Sequence, residues 1–307
     1  MFNYYLFIMN NIKSEFSIKD LENLSGIKAH TIRIWEKRYN LLQPNRSDTN
    51  IRNYNLENLQ KLLNVSFLNK NGYKISKIAK LNADDISYQV NEIALKANSD
   101  NHAINSFKLA MLNFDQALFY DTYNKLREEK SFKEIVYDVF MPLLAELGTL
   151  WQTDTISIAH EHFVSTLIKQ KILLNIEKVQ NKSQPIQSQT FVLYLPMNEI
   201  HDIGLLFTSY ELIRKGYHCI FLGASVPISS LSSLLNYYDN LKFVSYFTVK
   251  PEKDDITEYL KEFYEAILKS GTNELWILGR MLKHIDPKKL PKQIKAFSSI
   301  EKLVEQI

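Results

Sequence analysis

Residues 190–204 read TFVLYLPMNEIHDIG, and this stretch decides the fold of the carboxyl-terminal part of the chain. The run from Thr190 to Leu195 is apolar and has the length of a buried strand, and a helical pattern begins near Leu205. The loop between them carries His201 at the carboxyl end of a first strand. Open α/β sheets bind their cofactors at this position, so His201 is a candidate site residue.

Strand and helix patterns then alternate with short connections, which predicts a parallel, flavodoxin-like sheet. The predicted strands are Thr190–Leu195, His218–Leu222, Phe243–Phe247 and Leu275–Leu278. The predicted helices are Gly204–Lys215, Ser229–Tyr237, Asp254–Lys269 and a last one near Lys288–Ala296.

The residue types around His201 suit metal binding. A neutral imidazole nitrogen binds a metal, and a carboxylate such as Glu199 on the other ring nitrogen fixes the tautomer and raises the basicity of the ligand. Gly204 lets the backbone approach a bulky group without a Cβ. The string Glu-x-His-x-x-Gly resembles the Asp-x-His-x-x-Gly motif of vitamin B12-binding domains, with Glu199 in place of Asp. The resemblance implies that His201 is the cobalt ligand and that Glu199, Asp202 and Gly204 line the cofactor site.

Two later positions extend this resemblance. B12-binding domains of this type have Ser-x-Leu after the third strand, and Ser245-Tyr246-Phe247 lies 41 residues beyond Gly204. Ser245 is expected to bond the nucleotide tail of the cofactor or the ligand network of His201. The family's Gly-Gly is replaced by Gly279-Arg280, and Arg280 either pairs with the cofactor phosphate or obstructs the tail.

The amino-terminal part of the chain is basic. Residues 13–80 hold 13 Lys/Arg and 6 Asp/Glu, a net charge of +7, whereas the whole chain carries +3 and the remainder therefore −4. This asymmetry suggests a polyanionic partner for that module alone. Its sequence predicts a helix that begins at Ser17 and ends at Gly26, a second helix over Ala29–Tyr39, and a β-wing closed by Tyr54.

Three motifs of this module are Thr31-Ile32-Arg33-Ile34-Trp35-Glu36, Leu42-Gln43-Pro44 and Arg52-Asn53-Tyr54. In type and spacing they resemble the motifs of the MerR family of winged helix-turn-helix regulators. Arg33 and Arg38 are expected at major-groove edges or phosphates, and the wing residues at the flanking backbone. The candidate DNA-binding residues are Thr31, Arg33, Trp35, Lys37, Arg38, Arg46, Arg52 and Tyr54. The open alternative is that Arg38 and Arg52 form ion pairs with Glu36 or Glu57 of the same module.

The middle of the chain, from Ile86 to about Gln180, reads as four or five helices, which suggests a small bundle. Trp151 is followed, after nine residues, by Glu161-His162. This spacing resembles the upper-face motif of B12-dependent MerR photoregulators, in which the Trp covers the upper axial group of adenosylcobalamin and Glu-His lies close by. Gln152 stands where those regulators carry a second histidine, so the resemblance does not extend to the histidine of their light-adapted bis-histidine state.

The predicted organisation is multidomain, with α and α/β parts. Its segments are an extension (1–13), a winged helix-turn-helix domain (14–82), a helical B12 cap (86–180), a linker (181–188) and a B12-binding Rossmann-like domain (189–307). The resemblance implies a cytoplasmic DNA-binding regulator that is not an enzyme. Its ligand would be adenosylcobalamin, sandwiched between bundle and sheet. Its partners would be double-stranded promoter DNA, further copies of itself as a dimer or tetramer, and RNA polymerase, and no membrane.

Two alternatives stay open. One is a MerR-type regulator that binds no cobalamin, or binds it without light control. The other is a corrinoid carrier of a methyltransferase, which shares the Glu-x-His-x-x-Gly motif and a helical cap. No stretch approaches 18 apolar residues, and the single cysteine, Cys219, cannot form an internal disulfide.

Overall fold

The computed structural model describes residues 15–46, 51–94, 99–153, 155–180, 189–269 and 271–307. The chain forms two compact units, which divide between Thr166 and Leu167. The predicted extension and linker lie outside the described residues, and the predicted domain boundaries stay predictions. Within the described residues, no helix is long and apolar enough to cross a membrane.

The first unit begins with a winged helix-turn-helix. Its elements are α1 (Ile18–Ser25), α2 (Ala29–Tyr39), β1 (Asn45–Arg46), β2 (Arg52–Asn53), α3 (Leu56–Lys70) and α4 (Ile75–Ile78). The two short strands pair antiparallel, as expected for a wing.

The ends of α1 follow from local chemistry. The Ser17 hydroxyl accepts the Asp20 N–H, and the Asp20 carboxylate accepts the Ser17 N–H, which forms a capping box. Gly26 ends the helix with φ 74°, a left-handed conformation in which glycine carries no Cβ penalty. Both predicted ends of this helix are confirmed.

A helical block completes the first unit. Its elements are α5 (Ala83–Ala94), α6 (Ser99–Leu112), α7 (Gln116–Glu129), α8 (Phe132–Ile135) continuing through a π-helical segment (Val136–Phe140), α9 (Met141–Gln152) and the start of α10 (Ile158–Gln180). Its core is aromatic: the rings of Phe107 and Phe119 lie 4.8 Å apart, and Phe140 packs 5.6 Å from Phe107. These side chains are fully buried, which confirms the predicted helical packing.

The second unit is a doubly wound sheet. Its elements after α10 are β3 (Thr190–Tyr194), α11 (Ile203–Arg214), β4 (His218–Gly223), α12 (Ile228–Ser232), β5 (Lys242–Tyr246), α13 (Ile256–Phe263), β6 (Glu274–Leu278), β7 (Ile294–Ala296) and α14 (Ile300–Glu305). All pairs are parallel, and the strand order is β4-β3-β5-β6-β7. The order reverses between β3 and β5, and doubly wound sheets bind ligands in the crevice at this point.

One predicted element of this unit is wrong. The helix expected near Lys288–Ala296 is a 3₁₀ turn (Pro287–Lys289) followed by strand β7. Pro291 cannot donate a backbone hydrogen bond inside a helix, and Ile294 instead enters the sheet beside Leu275 of β6. The flavodoxin-like parallel sheet itself is confirmed, with this fifth strand added.

Candidate functional site

Glu199 braces the loop after β3 against the loop after β5. Its Oε1 accepts the backbone N–H groups of Ile200 (2.9 Å) and His201 (3.0 Å) and lies 2.5 Å from His201 Nδ1. Its Oε2 accepts the backbone N–H groups of residues 248–250, at 3.2, 2.7 and 2.8 Å. The side chain is fully buried. The brace therefore fixes His201 at the edge of the sheet where the strand order reverses.

The electrostatics of this brace set the tautomer of His201. Burial opposes ionisation of Glu199, but hydrogen bonds from His201 and from the amides of residues 249–250 outweigh it and lower the pKa of the carboxyl to about 2. Since an ionised carboxylate only accepts hydrogen bonds, Nδ1 of His201 carries the proton, and in a neutral imidazole the lone pair is then on Nε2. The His201 side chain is 51% exposed, so it is accessible to a ligand in the crevice.

Asp202, the next residue of the motif, forms an ion pair with Lys169 of α10. Asp202 precedes the first residue of α11, and its carboxylate is largely buried. The contact ties the second half of α10 to the motif loop within the second unit. The structure thus gives Asp202 a bracing contact beside His201.

Gly204 lies under the ring of Tyr246, the last residue of β5. A Cβ added to Gly204 would lie 2.8 Å from Tyr246 Cζ and 3.0 and 3.2 Å from the two Cε atoms. A residue with a Cβ at this position would therefore require the end of the Tyr246 ring to shift. Gly204 therefore accommodates a tyrosine ring of the same domain.

The remaining two motif positions of this unit are also engaged by protein groups. Ser245 is fully buried, and its hydroxyl donates to the Tyr194 carbonyl at 3.0 Å. Gly279 has φ 110°, and a Cβ there would lie 2.5 Å from the Phe247 carbonyl oxygen. Arg280 is exposed. Ser245 and Gly279 thus hold neighbouring strand ends together.

The first unit presents the other predicted cofactor residues. Trp151, near the end of α9, is 50% exposed, and His162 in α10 is exposed. Glu161 accepts the Ser165 hydroxyl at 2.5 Å and lies 3.5 Å from His162 Nε2. These three side chains are accessible to a ligand, and their cofactor role stays a prediction. The side chain of Gln152 lies outside the described residues.

Helix α2, which the sequence predicts to read DNA, exposes a cationic stripe. Its exposed residues are His30, Arg33, Ile34, Lys37 and Arg38. They recur at helical spacing, while Ile32 and Trp35 point into the core. Thr31 is half-buried at the start of the helix, and Arg46 is exposed on the wing. The stripe is arranged as the sequence predicts for a phosphate- and groove-facing surface.

The remaining predicted DNA contacts are structural residues in this conformation. Trp35 is buried, and Tyr54 is 0% exposed with its hydroxyl donating to Glu36. Arg52 donates to the same Glu36 carboxylate at 3.1 Å. The expectation that Trp35 and Tyr54 are presented to DNA does not agree with their burial, because both fill the module's apolar core. The alternative ion pair between Arg52 and Glu36 is the one observed.

Two polar contacts connect α1 to the helical block, and we call them the α1 seam. The Asn23 side-chain amide donates to Thr155 Oγ1 at 2.9 Å. The Lys108 ammonium donates to the Leu24 carbonyl at 3.4 Å and forms an ion pair with Glu146 of α9. Lys108 is only 5% exposed, so this cation is buried between the two parts of the unit.

Comparisons with known families match two separate stretches of the chain. Residues 16–84 match the family described as MerR HTH family regulatory protein, and residues 103–174 match the B12 binding domain. The first match covers the winged helix-turn-helix, and the second covers helices of the block that follows it. The chain therefore combines a MerR-type helix-turn-helix module with a stretch that matches the B12 binding domain.

Named relatives extend over most of the chain. It is 26% identical over 223 residues to the HTH-type transcriptional repressor CarH of Myxococcus xanthus, covering 70% of this chain and 73% of that protein. It is 27% identical over 221 residues to the HTH-type transcriptional repressor CarA of the same organism, covering 70% of each. The chain is homologous to these repressors.

A solved structure supports the fold. The monomethylamine corrinoid protein of Methanosarcina barkeri superposes with a TM-score of 0.55 at 11% identity, covering 69% of this chain and 100% of that chain. At this identity the likeness shows a shared fold.

The residues fit the metal of a corrinoid and do not fit a deeply inserted tail. An imidazole with its lone pair on Nε2, oriented by a buried carboxylate, suits a cobalt ligand. Beside it, however, Gly204 is covered by the Tyr246 ring, and the Ser245 hydroxyl is bonded to backbone. The site thus offers a metal ligand beside a closed tail position.

Proposed function

We propose that this chain is a cytoplasmic transcriptional repressor whose promoter binding is controlled by a cobalamin held through His201. The observation that carries the proposal is the brace between Glu199 and His201 at the reversal point of the sheet. It provides one neutral nitrogen donor, already oriented, on a rigid loop. A corrinoid would bring the ring nitrogens that bind its cobalt, so one protein ligand would suffice.

Glu199 and His201 have separate tasks in this proposal. The buried carboxylate holds the Nδ1 proton, so that Nε2 is the nitrogen left to bind cobalt. The backbone N–H groups of residues 248–250 hold the carboxylate in place, so the imidazole keeps its orientation before a ligand arrives. This preorganisation lowers the cost of binding.

We further propose that the ligand is adenosylcobalamin and that Trp151, Glu161 and His162 would take part in holding it. When bound, adenosylcobalamin supplies a cobalt–carbon bond that visible light breaks. Trp151 is a large exposed aromatic, and the Glu161 carboxylate is already oriented by Ser165, which supports a role in enclosing a ligand.

The α1 seam connects the region around Trp151 to the winged module that is proposed to bind DNA. Glu146, the ion-pair partner of Lys108, and Thr155, which accepts from Asn23 of α1, flank Trp151 along the chain. A change in the position of Trp151 therefore acts on both contacts of α1 in the winged module. Ligand binding is proposed to promote self-association as a dimer or tetramer. An oligomer presents several cationic stripes to one promoter and so gains affinity by linkage. RNA polymerase is then excluded or engaged at that promoter.

The test is an absorbance spectrum of full-length protein mixed in the dark with adenosylcobalamin and desalted, before and after green light. Wild type should retain the cofactor, and His201→Ala should bind it at least about 10-fold more weakly because the metal ligand is lost. His284→Ala, an exposed histidine of the same unit, is the matched control and should bind normally.

Each part of the proposal has its own contrary outcome. Equal retention by wild type and His201→Ala would refute the ligand assignment. A retained cofactor whose spectrum does not change in light would refute light control alone. Promoter DNA binding that is the same with and without ligand would refute cofactor control of repression.

A further inference from the structure

The ring of Tyr246 occupies the space directly above Gly204. The three closest approaches to a Cβ built on Gly204 are all to the far edge of the ring, at 2.8, 3.0 and 3.2 Å. A glycine inside the first turn of a helix costs about 1 kcal/mol relative to alanine. In α11 the packing of this ring on the helix accounts for that choice of residue.

The contact between Gly204 and Tyr246 lies close to His201 and to the point where the strand order reverses. Gly204 lies one helical turn beyond His201, and Tyr246 ends β5, the strand across the reversal point from β3. A cobalamin that takes His201 as its lower ligand carries its displaced nucleotide tail on the same side of the corrin as the imidazole. The tail must therefore pass near the first turn of α11 or remain outside the domain.

Three contacts close the path by which a nucleotide tail could enter the domain near α11, and we call this path the inner route. The Tyr246 ring covers Gly204, the buried Ser245 hydroxyl donates to Tyr194, and the Phe247 backbone lies against Gly279. Each is a contact between groups of this unit, at a position where the resemblance to B12-binding domains implies contact with the tail. Burial, together with the negative charge of Glu301, also raises the pKa of the Tyr246 hydroxyl, so the ring stays a neutral phenol.

We infer that Tyr246 is a specificity-determining residue that closes the inner route, so that the His201 site favours corrinoids without a nucleotide tail and holds cobalamin with its tail outside the domain. The inference rests on the proposed corrinoid binding through His201 and adds to it the form of corrinoid that is selected. The ring, rather than the hydroxyl, does the excluding, because Cζ and the two Cε atoms make the contact.

The experiment compares two probes on the full-length protein by spectrophotometric titration: aquocobinamide, which lacks the nucleotide tail, and hydroxocobalamin, which has it. The measured quantity is the ratio of the two dissociation constants in wild type, Tyr246→Ser and Tyr246→Phe. The cost of displacing the cofactor's own base is the same for every variant and cancels from the comparison.

Tyr246→Ser opens the space of a phenol ring beside Gly204. It should reduce the preference for cobinamide by at least about 10-fold, mainly by tightening cobalamin binding. Tyr246→Phe keeps the ring and should leave the ratio as in wild type. Tyr246→Leu, which keeps apolar packing at smaller volume, replaces the serine variant if that variant does not fold, and should shift the ratio in the same direction.

The outcomes separate the inference from the function on which it rests. An unchanged ratio in Tyr246→Ser and Tyr246→Leu, with both probes still bound in a way that His201→Ala abolishes, would overturn the tail inference and leave the corrinoid site standing. Failure of wild type and all variants to bind either probe would overturn both. A ratio that falls equally in Tyr246→Phe would assign the effect to the hydroxyl and overturn exclusion by the ring.

Discussion

Replacing Glu199 by glutamine is the sharpest test of the brace that positions His201. The carboxylate has three N–H donors on each oxygen, counting His201 Nδ1. A glutamine has one carbonyl oxygen, so its NH₂ group must face three of these donors whichever way it turns. A buried donor left without a partner costs about 1–3 kcal/mol, and relaxation of the loops recovers part of that cost.

The pKa of Glu199 gives an independent magnitude. Lowering the pKa from 4.5 to about 2, at 1.36 kcal/mol per unit, makes the charged form worth ~3 kcal/mol to the folded state. Both routes therefore predict that Glu199→Gln lowers the free energy of unfolding by about 3 kcal/mol. The measurement is urea unfolding of the full-length protein followed by circular dichroism, with hydrogen exchange at the amides of residues 248–250.

Glu252→Gln is the matched control, because Glu252 is an exposed carboxylate of the same loop, paired with Lys250. A surface pair of this kind contributes little, so the control should change stability by less than about 0.5 kcal/mol. If Glu199→Gln stays within about 1 kcal/mol of wild type and the amides of residues 248–250 exchange no faster, the brace does not hold the loop.

The lowered pKa of Glu199 predicts how its contribution to the free energy of unfolding depends on pH. Because the pKa of Glu199 in the folded state lies below 4.5, its stabilisation is fully present above that pH and is lost as the pH falls towards 2. The difference in unfolding free energy between wild type and Glu199→Gln should therefore narrow below pH 4.5. A difference that is constant across this range would show that ionisation of Glu199 is not its source.

Three further substitutions test other parts of the structure. Gly279→Ala forces a Cβ into the neighbouring backbone at a positive φ and should cost about 2–4 kcal/mol, measured by urea unfolding; a neutral result would contradict the close approach. Tyr54→Phe removes the buried bond to Glu36 and should cost about 1 kcal/mol, read as a lower melting temperature, whereas unchanged melting would mean that the bond is not made. Arg33→Ala should weaken DNA binding uniformly and reduce the salt slope by about 1, while an unchanged slope would remove Arg33 from the phosphate contacts.

The sequence predicts local structure well where one residue type has one physical use. Ser17 and Gly26 mark the ends of α1 because a hydroxyl can cap amides and a glycine can adopt positive φ. The apolar run from Thr190 predicts β3. The spacing of Glu199 and His201 predicts their contact, because two residues of one loop can reach each other independently of the remaining fold.

Other features depend on contacts that spacing does not reveal. The amides of residues 248–250, which hold Glu199, leave no side-chain signal in the sequence. The sequence predicts that Gly204 lets the backbone approach a bulky group, and in the structure that group is the ring of Tyr246. Which face of β5 carries this ring follows only from the strand register. Strand β7 was missed because its three residues are too short for a period-2 pattern.

The α1 seam gives the protein two electrostatic regimes within its first unit. The cationic stripe of α2 is exposed, so its attraction to DNA falls steeply as counterions are added. The seam combines a neutral amide–hydroxyl contact with a Lys108 ammonium that is 5% exposed, and salt screens buried groups much less. Added salt therefore weakens the contacts with DNA and leaves the α1 seam largely intact. A salt series can thus separate a loss of DNA contact from a loss of the connection through the α1 seam.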